Sequence, residues 1–312
     1  MSRNLQGLPH LRLAGTLALP LIPELAHQAA PANLVRLLFP KRNMKTDPIH
    51  GFNIVKILIM LTGLVLLTAG CSQRPADTLT VGMELSYPPF EMTDENGRPA
   101  GVSVDLANDL GKFLGKKVVI ENTSFDGLIP SLKTGRIDLI ISSMTATPER
   151  ALSIDFSEPY LKTGLCLLVS GKSGIRTIQD ADQPGKIIAV KQGTTGQTYA
   201  ADHLKNAQVL VLDEEAACVL EVAQGKADAF IYDQMSVYKN WQRNQQTTRA
   251  VLVPFRQESW AVAVRKGNTD LLKQVNAFIA DYHSRGGFEK LGDRWLPEQK
   301  EAFKTLGYPF YF

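Results

Sequence analysis

The stretch Ile137-Asp138-Leu139-Ile140-Ile141-Ser142-Ser143-Met144-Thr145-Ala146-Thr147-Pro148-Glu149-Arg150 decides the fold. Its first five residues are apolar on both faces apart from Asp138, the pattern of a strand covered on both sides in a parallel sheet. Just upstream, Ser124 stands where an N-cap opens a helix from Phe125 to Lys133, and Gly135 closes it. Lys117–Glu121 is a short strand. Before it, Val102, Leu106, Leu110, Phe113 and Leu114 recur at helical spacing. Leu79–Met83 reads as the first strand, followed by a loop through Tyr87-Pro88-Pro89-Phe90 and Asn96-Gly97. Strands and helices alternate, so the expected class is α/β.

The same alternation returns downstream of Gly164. Leu165–Val169, Ile187–Lys191, Val209–Leu212 and Ala227–Tyr232 read as strands, with helices over Thr195–Leu204 and Glu214–Gln224. Ala250–Val253 and Trp260–Val264 are further strands, Leu271–His283 is a long amphipathic helix and Gly287–Trp295 reads as the terminal helix. Two βαβ blocks joined by extended segments near 163–168 and 249–254 imply two lobes with two hinge crossovers. The expected division is 78–164 with 254–312 in lobe 1 and 165–253 in lobe 2. A cleft between such sheets is the natural ligand site.

Three local features suit a zwitterionic ligand, and each also has a plainer reading. Ser142, Ser143 and Thr145 end an apolar strand and Arg150 follows one short turn later. Hydroxyls and a guanidinium can clamp a carboxylate, or they can cap a turn and face water. Gln192-Gly193-Thr194-Thr195 opens a helix whose free N–H groups favour an anion; alternatively, Thr194 or Thr195 simply caps its own first turn. Asp233 follows the strand 227–232 and can pair with an ammonium group at the cleft mouth or cap a helix over 234–243.

The N-terminal portion reads differently. The first 70 residues hold seven basic side chains (Arg3, Arg12, Arg36, Lys41, Arg42, Lys45, Lys56) and two acidic ones (Glu24, Asp47). Subtracting these from the chain's 34 basic and 31 acidic residues leaves 27 against 29, a net −2 for the remainder. No basic excess is left there to hold a nucleic-acid backbone. After Lys56 come 14 apolar and small residues that end in Leu67-Thr68-Ala69-Gly70, and Cys71 follows. A positive flank, a short apolar core and small residues at a cleavage point describe a secretory signal, and the run is short for the roughly 20 residues of a membrane span. The ending resembles a bacterial lipobox, which implies a lipidated Cys71. Met44-Lys45 then begins a signal of ordinary length over 44–70, 1–43 is an upstream extension, and 71–77 is a tether. Cys166 and Cys218 lack CxxC spacing and histidine neighbours, so no metal is expected. They either pair as a disulfide or pack as small apolar groups.

Taken in order, several motifs resemble the polar amino-acid family of bacterial solute-binding proteins over residues of about 75 to 300. They are Gly82-x-Glu84-x-Ser86-Tyr87-Pro88-Pro89-Phe90-Glu91, Gly101-x-x-Val104-Asp105-Leu106 and Phe125-Asp126-Gly127-Leu128-Ile129-Pro130-Ser131-Leu132. Thr145-x-Thr147-x-Glu149-Arg150, Asp155-Phe156-Ser157-x-Pro159-Tyr160 and Gln192-Gly193-Thr194-Thr195 complete the set. The resemblance implies a two-lobed periplasmic-binding-protein type II fold that closes like a Venus flytrap. It implies that Arg150, Ser142, Ser143 and Thr145 hold the α-carboxylate of a free L-amino acid, with Thr195 reaching it from the other lobe. Asp233 would pair with the α-ammonium, and Tyr87 and Phe125 would sandwich the side chain. Glu84 and Lys191, at two strand ends, would point to the distal cleft. A lysine there would repel a cationic side chain, while a Glu–Lys pair would bond an amide from both sides, which favours glutamine, then glutamate; alternatively, the two merely bridge the closed lobes. The expected protein is a lipid-anchored monomer of the periplasm or cell surface that serves the permease of an inner-membrane ABC transporter, with no cofactor. The fold also hosts dehydratases and sensor domains. The chain has no His cluster, P-loop or GxGxxG, and a sensor would need a membrane helix and kinase beyond Phe312, so binding rather than catalysis is expected.

Overall fold

A computed structural model describes residues 77–308. The expectations for 1–43, 44–70, the lipidated Cys71 and nearly all of the tether lie outside the described residues. Eleven strands and ten helices are described. β1 (Thr78–Met83) is followed by a small antiparallel sheet of β2 (Ser86–Tyr87), β3 (Glu91–Thr93) and β4 (Pro99–Ala100) where a loop was expected. Strands of two or three residues leave too little periodicity to be read from sequence. Helix α1 (Val102–Leu114) starts after Gly101, whose φ of 119° and close approach to the Phe90 carbonyl admit no side chain. It ends at Gly115 in the left-handed conformation, and its Val102, Leu106 and Leu110 face is buried.

Next come β5 (Lys117–Asn122), α2 (Phe125–Lys133), β6 (Leu139–Ile140) and α3 (Pro148–Ala151). Buried Leu128, Leu132, Ile137, Ile140 and Met144 pack together beneath α2. Of the expected strand 137–141, only Leu139 and Ile140 are assigned to a ladder, parallel to β1 and antiparallel to a later strand. The second block holds α4 (Ile178–Ala181), β8 (Ile187–Lys191), α5 (Thr195–His203), β9 (Gln208–Leu212), α6 (Glu215–Ala223), β10 (Ala229–Asp233) and α7 (Gln234–Arg243). Its apolar centre includes Leu167, Val169, Ile188, Val190, Ala200 and Ile231. Each Val, Leu or Ile side chain among them contributes about 1.5–3 kcal/mol on full burial. Helices α8 (Thr269–Ser284), α9 (Gly287–Trp295) and α10 (Pro297–Thr305) follow the last strand.

Two long strands join the blocks. β7 (Ile154–Ser170) and β11 (Thr248–Arg265) run antiparallel along nearly their whole length. They stand in the middle of one eight-stranded sheet, ordered β5-β1-β6-β11-β7-β10-β8-β9. Each is thus longer than the separate segments 165–169, 250–253 and 260–264 expected from sequence. β6 pairs with the Ala263–Val264 end of β11, whereas β10 pairs with Leu165–Val169 of β7. Between these anchorages the register slips: Val251 faces Leu167, but Arg256 faces Leu165. The extra residues of β11 bulge at Pro254, which passes so close to Gly164 that a Cβ there would lie 2.6 Å from the proline ring. The two crossovers are therefore one antiparallel pair with a kink. Cys166 and Cys218 are both buried and free, so of the two readings the small apolar one holds.

Candidate functional site

The strand ends deliver their side chains to one cleft. It holds about 430 Å³ of empty space and is bordered by Tyr87, Phe125, Ser142, Ser143, Thr145, Arg150, Thr195 and Asp233. Eight of the ten expected ligand residues therefore meet around one cleft. The other two, Glu84 and Lys191, meet each other instead.

Arg150 is held by both blocks. Its guanidinium donates to the Thr145 carbonyl at 2.7 Å and to the Gly193 carbonyl at 3.0 Å, and it lies 5.5 Å over the Phe125 ring. Burial pushes its pKa down to about 10, with Glu258 and Glu149 pulling the other way, so it is a cation at neutral pH. Thr147 caps α3 by accepting from the Arg150 N–H and so fixes the turn that carries the arginine.

Asp233 caps a helix, as one of its readings has it, and also borders the cleft. As N-cap of α7, its Oδ1 accepts from the N–H groups of Met235 and Ser236 at 3.0 and 3.1 Å, and the same oxygen accepts from the Tyr87 hydroxyl at 2.7 Å. Oδ2 takes no hydrogen bond from any described residue. Burial raises the carboxyl pKa to about 7, against the opposing pull of its donors. A carboxylate so placed gains from an incoming cation, because its remaining oxygen has no other donor.

The hydroxyls divide their work. Thr194, rather than Thr195, caps α5 by accepting from the Gln197 N–H. That leaves Thr195 Oγ1 free to cross the cleft, where it donates to Glu258 Oε2 at 2.9 Å; Thr145 Oγ1 donates to the same oxygen at 3.0 Å. Ser142 and Ser143 border the cleft, but their hydroxyls donate to Glu91 at 3.5 and 3.1 Å. Glu91, buried beside Ser103 as well, thus holds both serine hydroxyls at the edge of the cleft. Burial lifts Glu91 to a pKa of about 8. Ser143 has a φ of 47°, unusual for a residue with a side chain.

Glu84 and Lys191 form a buried ion pair of 2.9 Å that ties β1 to β8. Lys191 also donates to the Asp213 carbonyl at 2.6 Å, and Glu84 accepts from the Phe125 N–H at 3.2 Å. Burial still raises the Glu84 pKa despite the lysine. The expected distal selectivity pair is thus a tie between the blocks, outside the cavity wall.

Glu258, Trp260 and Tyr232 also border the cleft and were missed. Tyr232 and Trp260 stand edge-on to Tyr87, each 6.1 Å away, and Phe90 stacks on Tyr87 at 5.4 Å. In the sequence both Tyr232 and Trp260 sit inside apolar runs and look like core. Glu258 lies where β11 was expected to be interrupted, so nothing signalled that it faces inward. The backbone of 144–146 pairs with 259–261, with Ala146 N–H donating to the Ser259 carbonyl at 3.0 Å, and this brings Glu258 to Thr145. Among the described residues no group of three or more metal-ligating side chains is gathered, and no helix is long and apolar enough to cross a membrane.

The family model for bacterial extracellular solute-binding proteins, family 3, matches residues 79–298. The L-cystine-binding protein TcyJ of Escherichia coli K12 is 33% identical over 220 residues, 70% of this chain and 82% of that protein. The ABC transporter arginine-binding protein 1 of the same strain is 30% identical over 249 residues, 78% of this chain and 100% of that protein. Among solved structures, an ancestral amino acid-binding protein, AncCDT-1, a precursor of cyclohexadienyl dehydratase, aligns with a TM-score of 0.65 at 36% identity. It covers 70% of this chain and 95% of that one.

Proposed function

As the chain belongs to the bacterial extracellular solute-binding proteins, family 3, we propose that it captures a free polar amino acid outside the cytoplasm and hands it to the permease of an ABC importer. The observation that carries this reading is the opposition of Arg150 and Asp233 across one cleft lined by Tyr87 and Phe125. A guanidinium and a carboxylate at that site match the two charges common to every α-amino acid. In this reading Arg150, Thr145 and Thr195 take the carboxylate, Asp233 takes the ammonium, and the aromatic walls take the side chain. Lobe 1 is 78–164 with 254–312, lobe 2 is 165–253, and the kinked β7–β11 pair is the hinge about which they close. Ligand favours closure because it bonds to both lobes only when they meet.

A ligand with an uncharged side chain, glutamine first, suits the charge balance. Arg150 and Asp233 answer the zwitterion, and Glu84 and Lys191 neutralise each other. Relatives named for cystine and arginine mark the range of alternatives. Lipidation at Cys71 would hold the protein at the membrane surface of the periplasm or cell exterior, and a Cys71→Ala variant released into the soluble fraction would test it. The ligand assignment is tested by a thermal-shift screen of the purified protein against the twenty amino acids and cystine, since a ligand that binds only the folded state raises Tm. A shift by one amino acid that Arg150→Ala removes is the expected result. A shift by a cyclohexadienyl acid and by no amino acid would replace this reading with an enzymatic one.

A further inference from the structure

Glu258 is buried with too few partners. Its Oε2 takes both threonine hydroxyls, from Thr145 on one side of the cleft and Thr195 on the other. Its Oε1 is buried and accepts no hydrogen bond. The nearest cation, Arg256 Nε, stands 3.7 Å away, at ion-pair but not hydrogen-bond distance. A buried carboxylate oxygen left in that state carries a desolvation cost that a bond to a donor would relieve. Thr163 faces Glu258 across the β7–β11 ladder, and its Oγ1 is likewise buried without a partner. Cross-strand neighbours of this kind have Cβ atoms about 4.5–5.5 Å apart, within side-chain reach. On the outer side of Glu258 a groove bordered by Thr145, Thr147, Lys162 and Arg256 leaves room for the side chain to turn. Glu258 therefore has one position with its charge on the two threonines and a second with two unused donors.

We propose that Glu258 sets the affinity of the site by occupying the seat of the ligand carboxylate, which it vacates by turning onto Arg256 and Thr163. This rests on the reading of Thr145 and Thr195 as donors to the ligand. Each hydroxyl has a single proton to donate, so it cannot serve two carboxylates, and two carboxylates sharing one seat repel. Every amino acid thus binds against a tethered competitor. Because the contest is for the group common to all of them, Glu258 tunes affinity across the whole ligand class rather than choosing among side chains. Once turned, its charge is answered by Arg256, and the cleft keeps the balance that suits a zwitterion.

The test is calorimetric titration of the purified protein with L-glutamine, L-arginine and L-cystine, comparing wild type, Glu258→Ala, Arg256→Ala and the double variant. Glu258→Ala should tighten the Kd of whichever probe binds by about tenfold, since hydrogen bonds to charged groups contribute ~1.5–3 kcal/mol and ~1.4 kcal/mol is tenfold. Arg256→Ala should weaken binding several-fold in the wild-type background and leave it unchanged in the Glu258→Ala background, a coupling that a purely structural arginine would not show. Glu258→Gln, nearly isosteric, should move Kd in the same direction and serves if the alanine variant does not fold. Equal or weaker binding by the folded Glu258 variants overturns the proposal and makes Glu258 a ligand contact or a structural tie. If the wild type binds none of these probes and no other amino acid, the transport reading falls and takes the seat with it. If the wild type binds and Glu258→Ala fails to tighten, only the seat falls.

Discussion

Two places that gather acidic and basic side chains from both blocks are built to opposite standards. At one, Glu84 and Lys191 are in contact at 2.9 Å, and each has a further backbone partner. At the other, Arg150 spends its bonds on two backbone carbonyls, Asp233 keeps an oxygen open, and Glu258 buries one oxygen without a donor. The contrast separates tie from site. A pair that satisfies itself has nothing left for a ligand, while charges held apart and only partly bonded bind whatever completes them.

The comparison can be broken at its stronger side first. Lys191→Met should destabilise the protein by about 3 kcal/mol, because removing one partner of a buried pair strands the other charge. Urea unfolding measures it, and adding Glu84→Gln should recover part of the loss. A change below 0.5 kcal/mol would mean that the pair is no tie. At the other place, Arg150→Ala should leave stability nearly intact but weaken amino-acid binding by roughly a hundredfold, the scale of a two-pronged charged contact. Titration calorimetry reads this directly, and unaltered Kd would remove Arg150 from the site.

Acidity sharpens the contrast further. Asp233 has a pKa of about 7 in the fold, well above the usual aspartate value. Between these values the folded state holds a proton that the unfolded state has lost, so this group's contribution to stability falls as pH rises from about 4 to 7. Glu91, lifted to about 8, acts in the same direction. Binding should run the opposite way, since only ionised Asp233 pairs with an ammonium group. Lowering the pH from 8 to 5.5 should therefore weaken Kd by about thirtyfold, and Asp233→Asn should abolish that dependence. A flat profile in the wild type would detach Asp233 from the ligand. The smallest effect belongs to Thr195→Val. Ligand and Glu258 both lose the same donor, so Kd should move by less than about threefold, where loss of a charged hydrogen bond without a competitor would cost tenfold or more.

Local chemistry was legible wherever it repeats within a few residues. The spacing of Val102, Leu106 and Leu110, and the position of Ser124 before Phe125, placed two helices at the bounds the structure has. Five of the eight cleft residues (Tyr87, Phe125, Thr145, Arg150 and Thr195) lie inside the six ordered motifs. What escaped shares a single cause. Glu258 and Trp260 reach the cleft because β11 pairs with a segment more than 100 residues earlier in the chain, and Ser142 and Ser143 turn aside because β3 carries Glu91 beneath them.

By itself, then, the sequence determined the α/β alternation, the two-block organisation, and most of the residues that border the cleft, because each depends on periodicity, caps and short motifs along the chain. Only the tertiary structure decided how those groups are partnered. It assigned Lys191 to Glu84, the two serines to Glu91, and the two threonines to Glu258. A buried charge takes the nearest donor that the folded backbone brings within about 3 Å, and that neighbour is chosen by the pairing of distant strands.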